Sequence, residues 1–386
     1  MIAYINTQNS KIVREGRHLL VKKGNDIYHT LFTYKLTQVM IFGNVEITHP
    51  ALCMLLKNNI DTVFFTRNGR YLGRLAPVES KNVFLRKRQY RLLDDPDFGL
   101  KISKNIVSGK LANMATIMMR IKRSRGSSEA GKKAKQIQSL LDGLNDIDSI
   151  EGVRGYEGRG TAIYFSGFRF GFTDNTTFTR RVRRPPTDPV NSVLSLLYTF
   201  LMNRVYAAVR ATGLDPYPAF LHSIDYGRYS LVLDLMEEFR PIIADALTFS
   251  LFNLKILKQT DFRTVRPAAA GTLAPESIDD MPDVTADTMG MMTTDDCADE
   301  TFDLPEQRID EPAATSAQTT GKYPVQLIPD AFKRVIVAFE KKLTSSFYYP
   351  PEKRNITYAD AMMFQALHYR KVIEGEADVY QPLLLK

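Results

Sequence analysis

Residues 231–241 read LVLDLMEEFRP and place three acidic side chains within an apolar run. With helical spacing, Asp234 and Glu237 lie three residues apart on one face, so we expect two oxygen ligands to project into the same space. An ionised carboxylate without a partner in an apolar environment costs roughly several kcal/mol. The stretch therefore predicts a buried helix whose acids are paired either with arginine or with a bound cation.

A third acid occupies a core-facing position in another helical segment. Ile150, Val153, Glu157, Thr161 and Tyr164 share one stripe of a helical wheel. Glycines at 155, 158 and 160 weaken such a helix by about 1 kcal/mol each, which is explained if a large ligand comes close to the backbone. Glu157 is then either a ligand of a cation or a carboxylate paired with a nearby arginine.

His222 follows a turn and a short apolar segment. A single histidine in such a position is more often packed or capped than a ligand. Together with Glu157, Asp234 and Glu237 it forms a mixed oxygen and nitrogen set. Such a set suits Mg²⁺ or Mn²⁺ better than the thiolate or multi-histidine sets of structural zinc. A divalent ion held there can polarise a phosphodiester and stabilise the oxygen that leaves it.

The net charge of +8 is distributed unevenly along the chain. Residues 271–322 contain thirteen acids against Arg308 and Lys322, a net charge of −11, which leaves +19 on the remainder. Excess lysine and arginine is commonly used to neutralise phosphate, although general solubility is an alternative. We therefore expect a polyanionic partner such as nucleic acid.

Four arginines within five residues strengthen that expectation. Arg180, Arg181, Arg183 and Arg184 precede a proline pair, and Arg159 could contribute to the same field. Guanidinium groups bind phosphate oxygens in a bidentate way, so these arginines are candidate DNA-binding residues. A solvated basic loop is the alternative.

Composition argues against several classes of protein. Hydrophobic residues make up 44% and charged residues 24%, and we find no apolar run long enough for a bilayer span and no secretory signal at the N-terminus. Cys53 and Cys297 are far apart, which gives no disulfide framework or thiolate metal site and fits the cytoplasm. The sequence also lacks nucleotide-binding and nucleophile-elbow motifs.

The pattern of apolar residues predicts an α+β chain. Asn68-Gly69 predicts a β-hairpin with a two-residue turn. Together with several short β-rich runs, it indicates a small β-sandwich-like domain over residues 1–90. Helical periodicity follows, with a core face over residues 98–122 and Lys101, Lys104, Lys110 and Arg120 on a basic face. Helices are expected to start at Ser127 and Asp188. Residues 91–386 are predicted to form the helical catalytic domain.

Residues 264–321 interrupt the helical pattern. They are acidic, rich in Asp, Thr, Ala, Pro and Met, and poor in large aliphatic residues. We expect a flexible acidic insertion within the helical domain. It could be an idle loop or an autoinhibitory DNA mimic.

Four segments resemble the CRISPR-associated adaptation integrases, the core family of spacer acquisition. The segments are RGYEGR (154–159), RRPPTDPVN (183–191), GLDPY followed by FLH (213–217 and 220–222), and LDLMEEFRP (233–241). Their order and spacing agree with the family, and the likeness covers the chain apart from the acidic insertion. One departure is Ala219, where the family usually has glycine.

The resemblance implies a homodimer, formed through contacts that include the β domains, that binds a small ferredoxin-like partner and inserts DNA fragments at the CRISPR leader and first repeat. It implies a metal held by Glu157, His222 and Glu237, with Asp234 supporting the site or sharing the ion. The predicted reaction is attack of a 3′-hydroxyl on a phosphodiester of the array. Two alternatives remain: a stand-alone metal-dependent nuclease acting on branched or double-stranded DNA, and a non-catalytic DNA-binding scaffold.

Overall fold

Two four-stranded sheets form the N-terminal part of the computed structural model, which describes residues 1–75, 82–174, 177–182, 185–265 and 323–385. The strands are β1 (Ile2–Ile5), β2 (Ser10–Glu15), β3 (His18–Lys23), β4 (Asp26–Phe32), β5 (Gln38–Phe42), β6 (Val45–Ile47), β7 (Asp61–Phe65) and β8 (Tyr71–Leu75), with helix α1 (His49–Lys57) between β6 and β7. The first sheet has the order β1-β5-β7-β8, and the second has the order β4-β3-β2-β6.

Strand β5 is buried on both faces because alternate side chains point to opposite sides of a sheet. Val39 and Ile41 pack into the small core that the two sheets and α1 enclose. Met40 and Phe42 point the other way, into the large core of the helical part. The Phe42 ring lies 5.1 Å from that of Phe332, so the first sheet joins the two parts through apolar contact.

The hairpin predicted at Asn68-Gly69 is present, but its turn is longer than two residues. Strands β7 and β8 pair antiparallel with a register shift after Phe64. The Thr66 carbonyl accepts from the Gly69 amide, and the Thr66 amide donates to the Arg70 carbonyl. Gly69 has φ of +91°, which a three-residue turn with a bulge requires. The predicted hairpin is therefore correct and the predicted turn length is wrong.

Helices dominate the rest of the chain, and the predicted α+β class is confirmed. They are α2 (Val83–Leu92), α3 (Pro96–Arg125), α4 (Ser128–Gly143), α5 (Ile150–Phe168), α6 (Pro189–Ala211), α7 (Ser230–Met236), α8 (Ala246–Asn253), α9 (Pro329–Thr344) and α10 (Tyr358–Glu374). A π-helical segment, Arg240–Asp245, joins α7 to α8. The described part also contains two small two-stranded antiparallel sheets: β9 (Phe262–Thr264) with β10 (Val325–Leu327), and β11 (Ser346–Tyr349) with β12 (Arg354–Thr357).

Capping side chains begin three of the long helices, and the caps at Ser127 and Asp188 lie where the sequence predicts them. Asp95 accepts from the Phe98 amide at 3.0 Å and starts α3. Ser127 accepts from the Ala130 amide at 3.2 Å and starts α4. Asp188 accepts from the Asn191 amide at 2.9 Å and starts α6. Each cap satisfies a backbone donor that the first helical turn leaves free.

Helix α2 lies where the β-rich pattern was expected to continue. It packs against α10, and Gln89 exchanges hydrogen bonds with the Asp215 backbone at 2.9 and 3.1 Å. Its segment therefore packs with the helical part, although it falls within the proposed β domain of residues 1–90.

Helix α6 is apolar and long enough to cross a membrane, but 78% of its apolar window is buried within the fold, as in a core helix. The predicted acidic insertion lies, from residue 266 onward, outside the described residues.

Candidate metal centre

Helix α5 places Glu157 in the interior, as its apolar stripe predicted. Ser149 caps the helix, and Glu157 is 8% exposed. The Thr161 hydroxyl, one turn later, donates to Glu157 Oε1 at 2.9 Å. A Cβ on Gly160 would overlap the Leu111 side chain of α3. Gly160 therefore serves the close approach of two helices, rather than the approach of a ligand that the sequence suggested.

Asp234 binds the loop that carries His222. Its Oδ2 accepts from the Phe220 and Leu221 amides at 3.0 and 3.1 Å. Its Oδ1 accepts from the His222 amide at 3.0 Å and lies 2.7 Å from His222 Nδ1. Since an ionised carboxylate only accepts, the imidazole donates from Nδ1, and Nε2 faces Glu237.

The expectation that Asp234 and Glu237 project their oxygens into the same space is therefore wrong. Asp234 is completely buried, and both of its oxygens are occupied by the loop and the imidazole. Its geometry is that of a group that orients a histidine ligand and fixes its tautomer.

Glu237 lies at the end of α7 and faces the imidazole. Its Oε1 is 3.6 Å from His222 Nε2 and 3.2 Å from Arg240 Nη1. Its Oε2 is buried and lies 2.6 Å from Lys110 Nζ. Burial alone would raise the pKa of Glu237, but Arg240, Lys110 and His222 together lower it to about 2. Glu237 is therefore ionised at neutral pH.

Lys110 of α3 lies between the two glutamates, and sequence reasoning placed it wrongly. It was assigned to a basic outer face, but it is 2% exposed and forms ion pairs with both Glu157 and Glu237. Ile106 and Met114 lie one turn before and one turn after it on the same buried face of α3. The stripe argument that identified Glu157 would have placed Lys110 inside as well.

The donor set fits a divalent ion of the Mg²⁺ or Mn²⁺ type. Glu157, Glu237 and His222 Nε2 offer oxygen and nitrogen donors in a buried position, and Asp234 orients the imidazole. Within the described ranges, no three His, Cys, Asp or Glu side chains are already arranged around one cation position. The Lys110 ammonium instead lies between the two carboxylates.

The candidate DNA-binding arginines differ in their surroundings. Arg159 is exposed on α5, two residues beyond Glu157 and hence on another side of the helix. Arg180 is exposed in the loop before α6. Arg183 and Arg184 lie outside the described residues.

Arg181 is held by the fold. Its Nη1 donates to Asn191 Oδ1 at 2.9 Å, and its Nη2 donates to Ser195 Oγ at 3.1 Å. Its guanidinium also lies 5.5 Å from the centre of the Tyr198 ring. These contacts anchor the arginine-rich loop to α6.

Glu238 points away from Glu237 and anchors the C-terminal segment. Its carboxylate accepts from Gln365 at 3.1 Å, from the Tyr380 hydroxyl at 3.0 Å and from the Leu383 amide at 2.6 Å. Asn113, one turn beyond Lys110, donates to the carbonyls of Glu238 and Leu383 at 3.0 and 2.8 Å. The C-terminal segment thus ties α3 to the stretch that carries Glu237.

This arrangement predicts a pH-dependent stability. Burial raises the pKa of Glu238 to about 8, against an ordinary value of 4.5, although the hydrogen bonds from Leu383, Gln365 and Tyr380 lower it. The folded chain then keeps a proton that the unfolded chain loses, so the free energy of unfolding falls as pH rises from about 5 to about 8. Glu238→Gln should flatten this dependence, measured as melting temperature between about pH 5 and pH 9 in chelator. Exposed Glu376→Gln is the control; parallel profiles for all three chains would contradict the prediction.

Comparison with known proteins identifies one family. The family model for CRISPR associated protein Cas1 matches residues 3–279. A CRISPR-associated endonuclease Cas1 of Moorella thermoacetica is 32% identical over 274 residues, which cover 69% of this chain and 80% of that protein.

Solved structures agree in fold. A casposase bound to an integration product has a TM-score of 0.75 at 19% identity, with 98% of this chain and 92% of that chain covered. A chain of a Cas6-RT-Cas1–Cas2 complex also has a TM-score of 0.75 at 20% identity, and the match covers all of this chain and 36% of that one.

Proposed function

This chain belongs to the CRISPR associated protein Cas1 family, and from that premise we propose that it is a metal-dependent DNA integrase that inserts fragments into a CRISPR array. The observation that carries the proposal is that buried Glu237 lies 3.6 Å from His222 Nε2 and shares the Lys110 ammonium with buried Glu157. The curated relative above is an endonuclease by name. A site that directs a 3′-hydroxyl onto a phosphodiester would use water in the same way for cleavage.

In this proposal Glu157, His222 and Glu237 hold the divalent ion, either Mg²⁺ or Mn²⁺. When bound, such an ion stabilises charge on the phosphate under attack and on the leaving oxygen. Asp234 keeps the imidazole proton on Nδ1, so Nε2 remains available as a ligand. Arg240 and Lys110 keep Glu237 ionised. Exposed Arg159 and Arg180 and the neighbouring Arg183 and Arg184 are candidates for positioning the DNA strands.

The test is a strand-joining assay with defined fragment ends. Fragments ending in a 3′-hydroxyl, incubated with the chain, Mn²⁺, the small partner and a repeat-bearing plasmid, should yield joined products. Fragments ending in a 3′-deoxy nucleotide should yield none, because they lack the attacking oxygen. Equal cleavage with both fragments and no joining would instead support the stand-alone nuclease.

The Lys110 ion pairs keep the scaffold alternative open, because they neutralise both glutamates without a metal. A scaffold would bind DNA but would show no Mn²⁺ uptake that depends on the glutamates. Calorimetric titration of the wild type and of Glu157→Gln with Mn²⁺ separates the two cases.

We further propose a homodimer through the N-terminal sheets, and a small ferredoxin-like partner. Strand β4 is the edge of its sheet and exposes Ile27 and Tyr28, and the adjoining Phe32 and Tyr34 are exposed as well. An apolar exposed edge strand is a surface that proteins usually cover. The proposal of a small partner is supported by the similarity of this chain to one chain of a Cas6-RT-Cas1–Cas2 complex. Light scattering at twice the chain mass would support the dimer, and a monomer would contradict it.

A further inference from the structure

Lys110 is unusual among lysines, because its charged end is buried between two acids. Its side chain is 3% exposed, and those of Glu157 and Glu237 are 11% and 2% exposed. Nζ lies 2.6 Å from Glu237 Oε2 and forms an ion pair with Glu157 Oε1. The pairing joins α3, α5 and the end of α7, three separate elements. A buried lysine in this position must have a role beyond surface charge.

We propose that Lys110 is a tethered counter-cation for the metal site. In the metal-free chain its ammonium stands between the two carboxylates, where the divalent ion would bind. When the ion enters, the ammonium withdraws from at least one carboxylate. This inference rests on the proposed metal dependence of the same site.

The electrostatics require a cation at this position. Two carboxylates held a few ångströms apart in a poorly solvated site repel each other strongly. Arg240 Nη1 lies 3.2 Å from Glu237 Oε1, and Lys110 Nζ lies 2.6 Å from Glu237 Oε2. His222 Nε2 lies 3.6 Å from Glu237 Oε1, which is beyond hydrogen-bond distance. Lys110 is the cation that bridges both acids among the described residues.

The two cations near Glu237 differ in their freedom to move. The Arg240 guanidinium lies 5.3 Å from the centre of the Tyr198 ring, in addition to its pairing with Glu237. The Lys110 ammonium ends a flexible four-carbon stem. Lys110 is therefore the group that can yield its place to an ion of higher charge while Arg240 stays.

A competing role and a purely structural role for Lys110 predict opposite changes in metal affinity when the lysine is removed. If Lys110 only held the two glutamates in place, its removal would loosen the ligands and weaken metal binding. If it competes with the ion, its removal leaves a more negative site and strengthens metal binding. The metal-free chain should then become less stable, because two buried carboxylates lose their shared cation.

The experiment is calorimetric titration of the full-length chain with Mn²⁺ after dialysis against chelator. Lys110→Met keeps the length of the stem and removes its charge, and Lys135→Met, at an exposed lysine of α4, is the matched control. We expect Lys110→Met to bind Mn²⁺ at least about tenfold more tightly than the wild type, since a unit charge at such distances changes binding by this much or more. Its metal-free melting temperature should fall, and its Mn²⁺-induced rise in melting temperature should exceed that of the wild type.

Each outcome decides the matter. Unchanged or weaker Mn²⁺ binding by Lys110→Met, with binding by the wild type intact, would overturn this inference and leave the proposed function standing. Binding of Mn²⁺ by neither chain would overturn both. Lys110→Arg, which keeps the charge, should not bind more tightly than the wild type. If Lys110→Met folds only with metal, its affinity is measured by chelator competition against the refolded complex, and the same comparison applies.

Discussion

Alanine at Glu157, at His222 or at Glu237 is expected to reduce DNA strand joining by about 100- to 1000-fold, the range typical for removing one group that stabilises transition-state charge. These three side chains come from α5, from the loop after Phe220 and from the end of α7, and all three are buried. In the proposed function, loss of any one would remove a donor to the ion that stabilises the leaving oxygen. DNA binding should change little, because the arginines proposed to position the DNA strands are not ligands of that ion.

The measurement is the initial rate of joined product, with DNA affinity from a separate binding titration. Glu129→Ala is the matched control, because this glutamate is 48% exposed and pairs with Lys132 on the surface of α4. Since alanine at Glu157 or Glu237 leaves Lys110 without one of its acids, glutamine variants and melting temperatures are measured alongside. A wild-type joining rate in any of the three alanine variants would remove that residue from the site.

Asp234→Asn is expected to impair the site almost as strongly without touching a proposed ligand. Asp234 accepts three backbone amides and the His222 Nδ1 proton. An asparagine has only one acceptor oxygen, and its NH₂ group would face the N–H donors that the second carboxylate oxygen now accepts from. Each buried donor left without an acceptor costs about 1–3 kcal/mol. The imidazole proton could then move from Nδ1 to Nε2, and Nε2 would no longer have a lone pair with which to bind the ion.

We expect Mn²⁺ affinity to fall by about 10- to 100-fold, as for other groups that orient a metal-bound histidine. The melting temperature should fall as well. Asp225→Asn, at a 60% exposed acid of the same loop, is the control. Unchanged Mn²⁺ affinity in Asp234→Asn would show that Asp234 serves only the fold of the loop.

Local patterns predicted much of this structure from the sequence. The caps at Ser127 and Asp188, the hairpin at Gly69 and the inward position of Glu157 each depend on neighbours within a few residues. Such short-range effects are visible in sequence because helical and strand periods are fixed by backbone geometry. The helical pattern was accordingly sufficient to place Glu157 in the core.

Long-range pairing was the part that sequence reasoning missed. Lys110 pairs with an acid 47 residues away, and Asn113 bonds to a carbonyl 125 residues away. No local period shows such a partner, although the apolar stripe of α3 is sufficient to place Lys110 in the interior. Asp234 was misjudged for a related reason. Helical spacing placed it beside Glu237, but the backbone amides of a distant turn occupy its oxygens.

The structure also explains how one short stretch, residues 234–240, serves both fold and site. Asp234 holds the histidine loop, Glu237 enters the site, and Glu238 holds the C-terminal segment. Arg240 then pairs back to Glu237 from the start of the π-helical segment. Four ionisable residues within two helical turns thus have different sets of partners, which is why their spacing alone predicted only part of their roles.

The most direct test is anomalous diffraction from crystals of the chain soaked in Mn²⁺. The account predicts one strong peak about 2.0–2.3 Å from a carboxylate oxygen of Glu157, a carboxylate oxygen of Glu237 and Nε2 of His222, with the Lys110 ammonium moved away from at least one carboxylate. A peak elsewhere, or none with Lys110 still bridging the two acids at saturating Mn²⁺, would contradict it.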